Sequence, residues 1–263
     1  MMRALYSAAS GMIAQQYNMD TISNNLANVD TSGFKNNLAR FQDLIYQQLQ
    51  APGAPIGPSI VPVGQDVGLG VKVSSSEKIF TQGSLVSTNN PLDVAVEGDG
   101  FFQVTLPDGT TAYTRDGGFK TDANGSLVTS DGYFVQPQIT IPQNAVSVQV
   151  GETGIVTAQI PGTSQPEQLG QLTLARFVNN AGLEPTGQNL YLQTAASGPP
   201  IVTQPGLNGA GVLQGGYLEN SNVQMVNEIV NMIVAQRAYE ADSKAIGSAD
   251  QMLQTAINIP PFQ

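Results

Sequence analysis

The sequence predicts an α+β protein in which long N- and C-terminal helices pair as a coiled-coil-like domain around a β-rich middle domain built of hairpins, with an extended Pro/Gly-rich arm. Three observations predict it. Apolar residues near both ends recur in alternating steps of three and four, the spacing of one helix face. Between the ends, short runs of β-branched and aromatic residues alternate with Gly, Asn and Asp turns. One stretch, 51–70, carries prolines and glycines too densely for any helix.

At the front, Leu5, Ala8, Met12, Gln15, Met19, Ile22, Leu26 and Val29 make the stripe, with Gln15 its one polar member. Asn28, Asp30, Thr31, Ser32 and Gly33 then supply helix-ending and turn residues, and a second short helical run is expected from about Asn36 to Gln50. Pro52, Pro55, Pro58 and Pro62, with Gly53, Gly57, Gly64, Gly68 and Gly70, follow. They suit an extended arm, a long hairpin or a disordered linker.

From 71 to about 217 the signals are those of strands. Residues 101–106 and 111–114 flank the turn Pro107-Asp108-Gly109-Thr110, and 118–121 and 126–128 flank Asp122-Ala123-Asn124-Gly125. Each pair reads as a hairpin. Ser130-Asp131-Gly132 makes a third turn before 133–136, and a second lobe is expected after Pro142. At the back, Met225, Ile229, Met232, Gln236, Tyr239, Ser243, Ile246, Asp250, Leu253 and Ile257 repeat the helical spacing, with alanines beside them. Ser221 and Gln224 form a capping-box pair, which predicts a helix start near Ser221. The expected domains are 1–35 with 221–263, 36–80, and 81–220.

At about 1.5 Å per residue the two end helices reach roughly 40 and 55 Å. Such helices are marginal alone in water, so their stripes must be buried. Spacing alone leaves open whether the partner lies in the same molecule or in another copy. The expected self-assembly positions are Leu5, Met12, Met19, Ile22, Leu26 and Val29 at the front and Met225, Ile229, Met232, Tyr239, Ile246 and Leu253 at the back.

Composition supports packing against like surfaces. Only 11% of the 263 residues are charged, well below the roughly 25% of an ordinary domain. Amide and hydroxyl side chains dominate the polar surface, and burying them against copies avoids the cost of stranded charges. The net charge of −10, with scattered Lys and Arg, excludes a phosphate-binding stripe, so no nucleic acid is expected. There is no run of about 18 apolar residues, so no membrane insertion is expected. The first residues lack the continuous apolar core and cleavage site of a secretory signal, so export would need a route that leaves the front end intact.

Catalytic chemistry is poorly supplied. The chain has no histidine and no cysteine, which removes the commonest general base, the commonest metal ligands and the His-dependent triads. Asp93, Glu97 and Asp99 cluster and could in principle act on a glycosidic bond, but chance places such clusters among 20 acidic residues. Ser32-Gly33-Phe34-Lys35 and Ser75-Ser76-Glu77-Lys78 fit S-x-x-K without its companion motifs. Gly98-Asp99-Gly100 lacks the rest of a phosphate loop, and 122–125 lacks the ligand alternation of a calcium loop. No catalytic residue, cofactor or metal is assigned.

Several stretches resemble the bacterial flagellar rod and hook family. They are Leu5-Tyr6-Ser7-Ala8-Ala9-Ser10-Gly11-Met12, and Ile22-Ser23-Asn24-Asn25-Leu26-Ala27-Asn28-Val29-Asp30-Thr31-Ser32-Gly33-Phe34-Lys35. Further on come Glu97-Gly98-Asp99-Gly100-Phe101-Phe102, Ala112-Tyr113-Thr114-Arg115-Asp116-Gly117, Leu218-Glu219-Asn220-Ser221-Asn222-Val223 and Gln236-Arg237-Ala238-Tyr239-Glu240. The likeness covers essentially the whole chain except the tail from Ile259 to Gln263. It implies a non-enzymatic subunit of a helical tube that carries torque through the periplasm from motor to hook. The implied partners are further copies of the chain, proximal rod subunits, the hook protein, the P and L ring proteins and the flagellar type III export apparatus. A proximal rod subunit of similar build, or a short hook-type protein, remains a second option within the family. Two rivals outside it are a secreted trimeric coiled-coil fibre and a carbohydrate-active enzyme using Asp93 and Glu97.

Overall fold

A computed structural model describes all residues except Met1, Ala54, Gly57, Pro58, Val61, Thr163, Ser164 and 258–263. The tail beyond the last helix therefore lies outside the described residues. The chain divides into two compact units. The first comprises Met1–Ala27, Asn37–Glu77 and Gln224–Gln263; the second comprises Asn28–Asn36 and Lys78–Val223. This differs from the sequence boundaries: 37–77 groups with the helices, and 28–36 with the strands.

In the first unit, α1 (Met2–Ala27) and α2 (Met225–Ile257) pack side by side. Two contacts fix their direction. The Asn25 side chain near the end of α1 lies beside the Glu228 carboxylate at the start of α2, and Gly11 faces Asp242, whose Oδ2 lies 2.6 Å from where a Cβ on residue 11 would stand. The helices thus run antiparallel. The predicted start near Ser221 is corrected: α2 begins at Met225, with Glu228 N donating to Gln224 O at 3.0 Å. Ser221 instead takes the Val223 amide on its hydroxyl at 3.2 Å, a local turn that competes with the helix for that hydroxyl.

The helix expected over 36–50 is also corrected. Residues Asn37–Asp43 and Tyr46–Gln50 are strands. Asn37–Asp43 pairs with Val71–Lys78, Tyr46–Gln50 pairs antiparallel with Gln65–Gly68, and Leu44 N donates to Gly70 O at 2.8 Å between them. Pro55–Ile56 opposite Ser59–Ile60 lies at the tip. Among its described residues, the Pro/Gly-rich stretch contributes Pro55–Ile56, Ser59–Ile60 and Gln65–Gly68 to antiparallel pairs. Leu38, Phe41, Ile45 and Leu49 have helical spacing, but the returning chain, with its apolar Val67, Val71 and Val73, offers ladder partners on both sides of 44–45, which outweighs a weak local propensity. Asn25 helps to choose: its Oδ1 accepts Asn37 N and its Nδ2 donates to Asn37 O, both at 2.8 Å, so it pairs with Asn37 as a strand neighbour would.

The second unit holds a seven-stranded sheet. Its order is Lys120–Thr121, Leu127–Val128, Phe134–Gln136, Phe102–Thr105, Thr111–Thr114, Leu190–Leu192 and Glu184–Gly187. The predicted hairpins around 107–110, 122–125 and 130–132 are present as antiparallel pairs. Asp122 Oδ1 accepts the amides of Asn124 at 2.9 Å and Ser126 at 2.7 Å, so its carboxylate closes a turn. Gly125 is required there, with φ +82° and a would-be Cβ 2.2 Å from Ile141 O. A three-stranded sheet of Ser147–Val150, Ile155–Gln159 and Glu167–Gln171 follows Pro142. Its Val156 joins one core with Val96, Phe102, Val104, Val135, Leu174 and Leu213. Because successive side chains on a strand alternate faces, Phe101 leaves that core for a second cluster with Tyr113, Phe177 and Tyr191, packed edge to face.

Candidate assembly surface

The front stripe is turned into the first unit. Ile22 is 4% exposed, and Leu5, Met12, Met19 and Leu26 are half-buried. Val29, in the second unit, is half-buried there. The back stripe is split. Met232, Ile246 and Leu253 are half-buried, but Met225, Ile229 and Tyr239 are exposed. The most buried positions of α2 are Ala235, Ala249 and Glu228. Small residues thus line the inward face, as Gly11 and the buried Ala14 do on α1. Short side chains let the two backbones approach closely and leave the large apolar residues of the first turns of α2 facing away.

Those outward residues form one row along the first three turns of α2. Met225 (46% exposed), Val226 (73%), Ile229 (43%), Val230 (52%), Ile233 (52%) and Val234 (62%) are large, apolar and open. Scattered exposed apolar residues are ordinary, but a contiguous patch marks an interaction surface. The hairpin carries more: Ile45, Tyr46, Leu49 and Val63 are exposed. Glu228 sits beside the row on the buried side, and burial pushes its carboxyl above the usual range while the neighbouring Asn25 side chain opposes the shift.

Sequence reasoning missed a cluster in the second unit. Lys35 and Glu219 are fully buried and Arg115 nearly so; Lys35 Nζ lies 2.6 Å from Glu219 Oε1, and Arg115 Nη1 lies 3.5 Å from Oε2. Lys35 also donates to Thr81 O at 2.8 Å, and Arg115 to Gly98 O at 2.7 Å. Burial lowers the Lys35 ammonium from its usual value, against the pull of Glu219. The Arg115 guanidinium lies over the Phe101 ring, and the Lys78 ammonium, lowered by burial, lies over Phe34. The sequence signals were an S-x-x-K match at Lys35 and the three family-like stretches that hold Lys35, Arg115 and Glu219, and neither says that residues 184 positions apart are partners.

The residues of the rival enzyme reading are engaged in structural bonds. Asp93 is buried and accepts from Asn90 Nδ2 at 2.8 Å, while Glu97 accepts from Gln214 on the surface. Among the described residues, no helix is long and apolar enough to cross a membrane.

Three family profiles match the chain: a flagella basal body rod protein profile over 5–35, a flagellar hook protein FlgE/F/G D1 domain profile over 95–158, and a flagellar basal body rod FlgEFG C-terminal profile over 214–259. Among curated relatives, the flagellar basal-body rod protein FlgG of Borreliella burgdorferi is 52% identical over 262 residues, covering 98% of this chain and 99% of that protein. The FlgG of Bacillus subtilis is 39% identical over 267 residues, covering 98% and 99%. The chain belongs to the FlgG family of flagellar basal-body rod proteins. It is a structural protein of the flagellar basal body, not an enzyme. The flagellar hook protein FlgE of Helicobacter mustelae is 48% identical over 140 residues, covering 52% of this chain but only 30% of that protein. Within this FlgG-family chain, Lys35 closes the first matched segment, Arg115 lies in the second and Glu219 in the third.

Proposed function

We propose that the chain polymerises with its own copies into the distal part of the flagellar rod, a helical tube that transmits torque from the motor to the hook. The observation that carries this reading is the outward apolar row on α2, from Met225 to Val234, which a neighbouring copy would remove from water. In this reading Leu5, Met12, Met19, Ile22, Leu26, Val29, Met232, Ile246 and Leu253 build and support the coiled-coil-like helical wall. Met225, Ile229 and Tyr239 face the next subunit.

The exposed hairpin, with Ile45, Tyr46 and Val63 on its surface, acts as an arm against an adjacent copy and stiffens the shaft. A torsionally stiff shaft needs many simultaneous side-to-side contacts, and an apolar helix row together with an arm supplies them. The subunit stacks between proximal rod subunits and the hook protein, inside the P and L rings. It reaches the periplasm through the flagellar type III export apparatus. Near full-length coverage of the FlgG relatives, against partial coverage of the FlgE hook protein, favours a rod position over a hook position.

Concentrating the purified full-length chain and imaging it by cryo-electron microscopy tests the proposal. Tubes whose walls contain both end helices are expected, and material that remains monomeric or stops at discrete trimers overturns it.

A further inference from the structure

Glu219 holds the segment after α1 at two points. Its backbone oxygen accepts Gly33 N at 2.7 Å, and its carboxylate binds Lys35 Nζ at 2.6 Å. The same carboxylate accepts Gly83 N at 2.8 Å and faces Arg115 at 3.5 Å. Neighbouring residues repeat the pattern. Asn222 Oδ1 accepts Asn36 N at 2.8 Å, Asn222 Nδ2 donates to Ile79 O at 2.8 Å, and Asn220 N donates to Ser84 O at 2.9 Å. The fit is close, since a Cβ on residue 83 would stand 1.9 Å from Asn220 O. The stretch around Glu219 is thus threaded between Asn28–Asn36 and the chain around Thr81.

The charges make this threading conditional. Lys35 and Arg115 bring two positive charges together, and among the described residues Glu219 is the one carboxylate ion-paired with either. Asp99 acts on Arg115 only at longer range; it is 65% exposed and lies 3.9 Å from Arg176. Arg115 Nε is buried without a hydrogen-bond partner, so the guanidinium is under-satisfied even with the carboxylate in place. Breaking a buried pair by removing one member leaves an uncompensated charge, a far larger penalty than loss of a surface pair. The Phe102, Val104 and Val135 core uses none of these groups.

We propose that Glu219 is a latch. When its carboxylate is seated, Asn28–Asn36 and the stretch around 219 are closed together within the second unit; when it is absent, both open together while the central sheet persists. Because Glu219 lies 184 residues after Lys35 and 104 after Arg115, the N-terminal segment docks only once the last strand of the unit has arrived. Folding of this unit is thereby made conditional on a chain that is complete to that point. The inference rests on the fold of the second unit and not on the assembly reading, so it is tested on the unassembled chain.

Hydrogen exchange with mass spectrometry on the full-length chain supplies the test. Glu219→Gln keeps the side chain's size but strands two buried cations. Exchange of the amides in 28–36 and 79–87 is expected to accelerate at least roughly 100-fold, with 102–105 and 111–114 staying within about threefold of wild type. Adding Lys35→Met to Glu219→Gln restores the original charge sum and should slow the exchange by about tenfold or more from the single variant. In the wild-type chain at low denaturant, the amides of Gly33 and Asn220 should exchange through one shared opening that precedes that of the sheet. Unchanged exchange in Glu219→Gln, equal acceleration across the sheet, no recovery with Lys35→Met, or separate openings for Gly33 and Asn220 would each overturn the latch.

Discussion

Replacing Ile229 with Asp separates the two roles that the C-terminal helix could have. In the isolated chain Ile229 is 43% exposed, on the side of α2 away from Glu228, Ala235 and Ala249. An exposed helical substitution costs about 0.5 kcal/mol, with a few tenths more for the lower helix preference of Asp. The chain should therefore lose less than about 1 kcal/mol of stability. In a packed wall the balance reverses. From their exposures, the six residues of the row still offer roughly three whole side chains of apolar surface, worth about 5–10 kcal/mol per copy if fully buried. That figure is an upper bound, and it is comparable with the roughly 4–15 kcal/mol that association costs in lost motion. The row alone is thus marginal, and a buried unpaired carboxylate costing several kcal/mol removes assembly altogether. Urea unfolding followed by circular dichroism gives the first number; pelleting and negative-stain microscopy of concentrated protein give the second. The control is Ile22→Asp, which is 4% exposed and should destabilise the chain by about 3 kcal/mol or more. An Ile229→Asp chain that loses more than about 2 kcal/mol would mean that the row faces inward. Tubes formed as readily as by wild type would mean that no copy covers it.

Further outcomes follow from individual contacts. Gly11→Val should destabilise the helical unit, because its Cβ stands 2.6 Å from Asp242 Oδ2; Asp242→Ala in the same chain should recover most of the thermal midpoint, since the obstacle is the end of a side chain. Glu228→Gln should raise stability at pH 7. Its carboxyl is held above the usual range by burial, so the folded chain binds the proton more tightly than the unfolded one. The wild type therefore loses stability as pH rises from about 4.3, the unfolded value, through the raised folded value. Urea midpoints of wild type and variant should converge below about pH 4 and separate at neutral pH. Phe102→Ala, at a fully buried position packed edge to face on Phe119 at 4.9 Å, should cost about 3–5 kcal/mol by calorimetry, with the helix–helix contact of the first unit as an internal reference.

Local rules determined much of this protein from its sequence. The α1 stripe, the 107–110 and 122–125 hairpins and the unsuitability of 51–70 for a helix follow from periodicity, turn residues and proline geometry, which act within a few residues of chain. The resemblance carried by 5–12, 22–35 and 218–223 pointed to the flagellar family for the same reason, since it lies in contiguous residues. Tertiary structure decided the rest. Leu38, Phe41 and Leu49 have helical spacing but lie in strands, because partner strands between Gln65 and Lys78 satisfy their backbone. Met225 and Ile229 share a heptad register with Met232 and Ile246, yet the alanines and Gly11 set the close approach that turns the first pair outward. Lys35, Arg115 and Glu219 each lie in a stretch that resembles the flagellar family, but nothing in the sequence shows that the three meet. Their meaning is a matter of burial: each charge has to meet its opposite away from water, and only the completed fold brings them together.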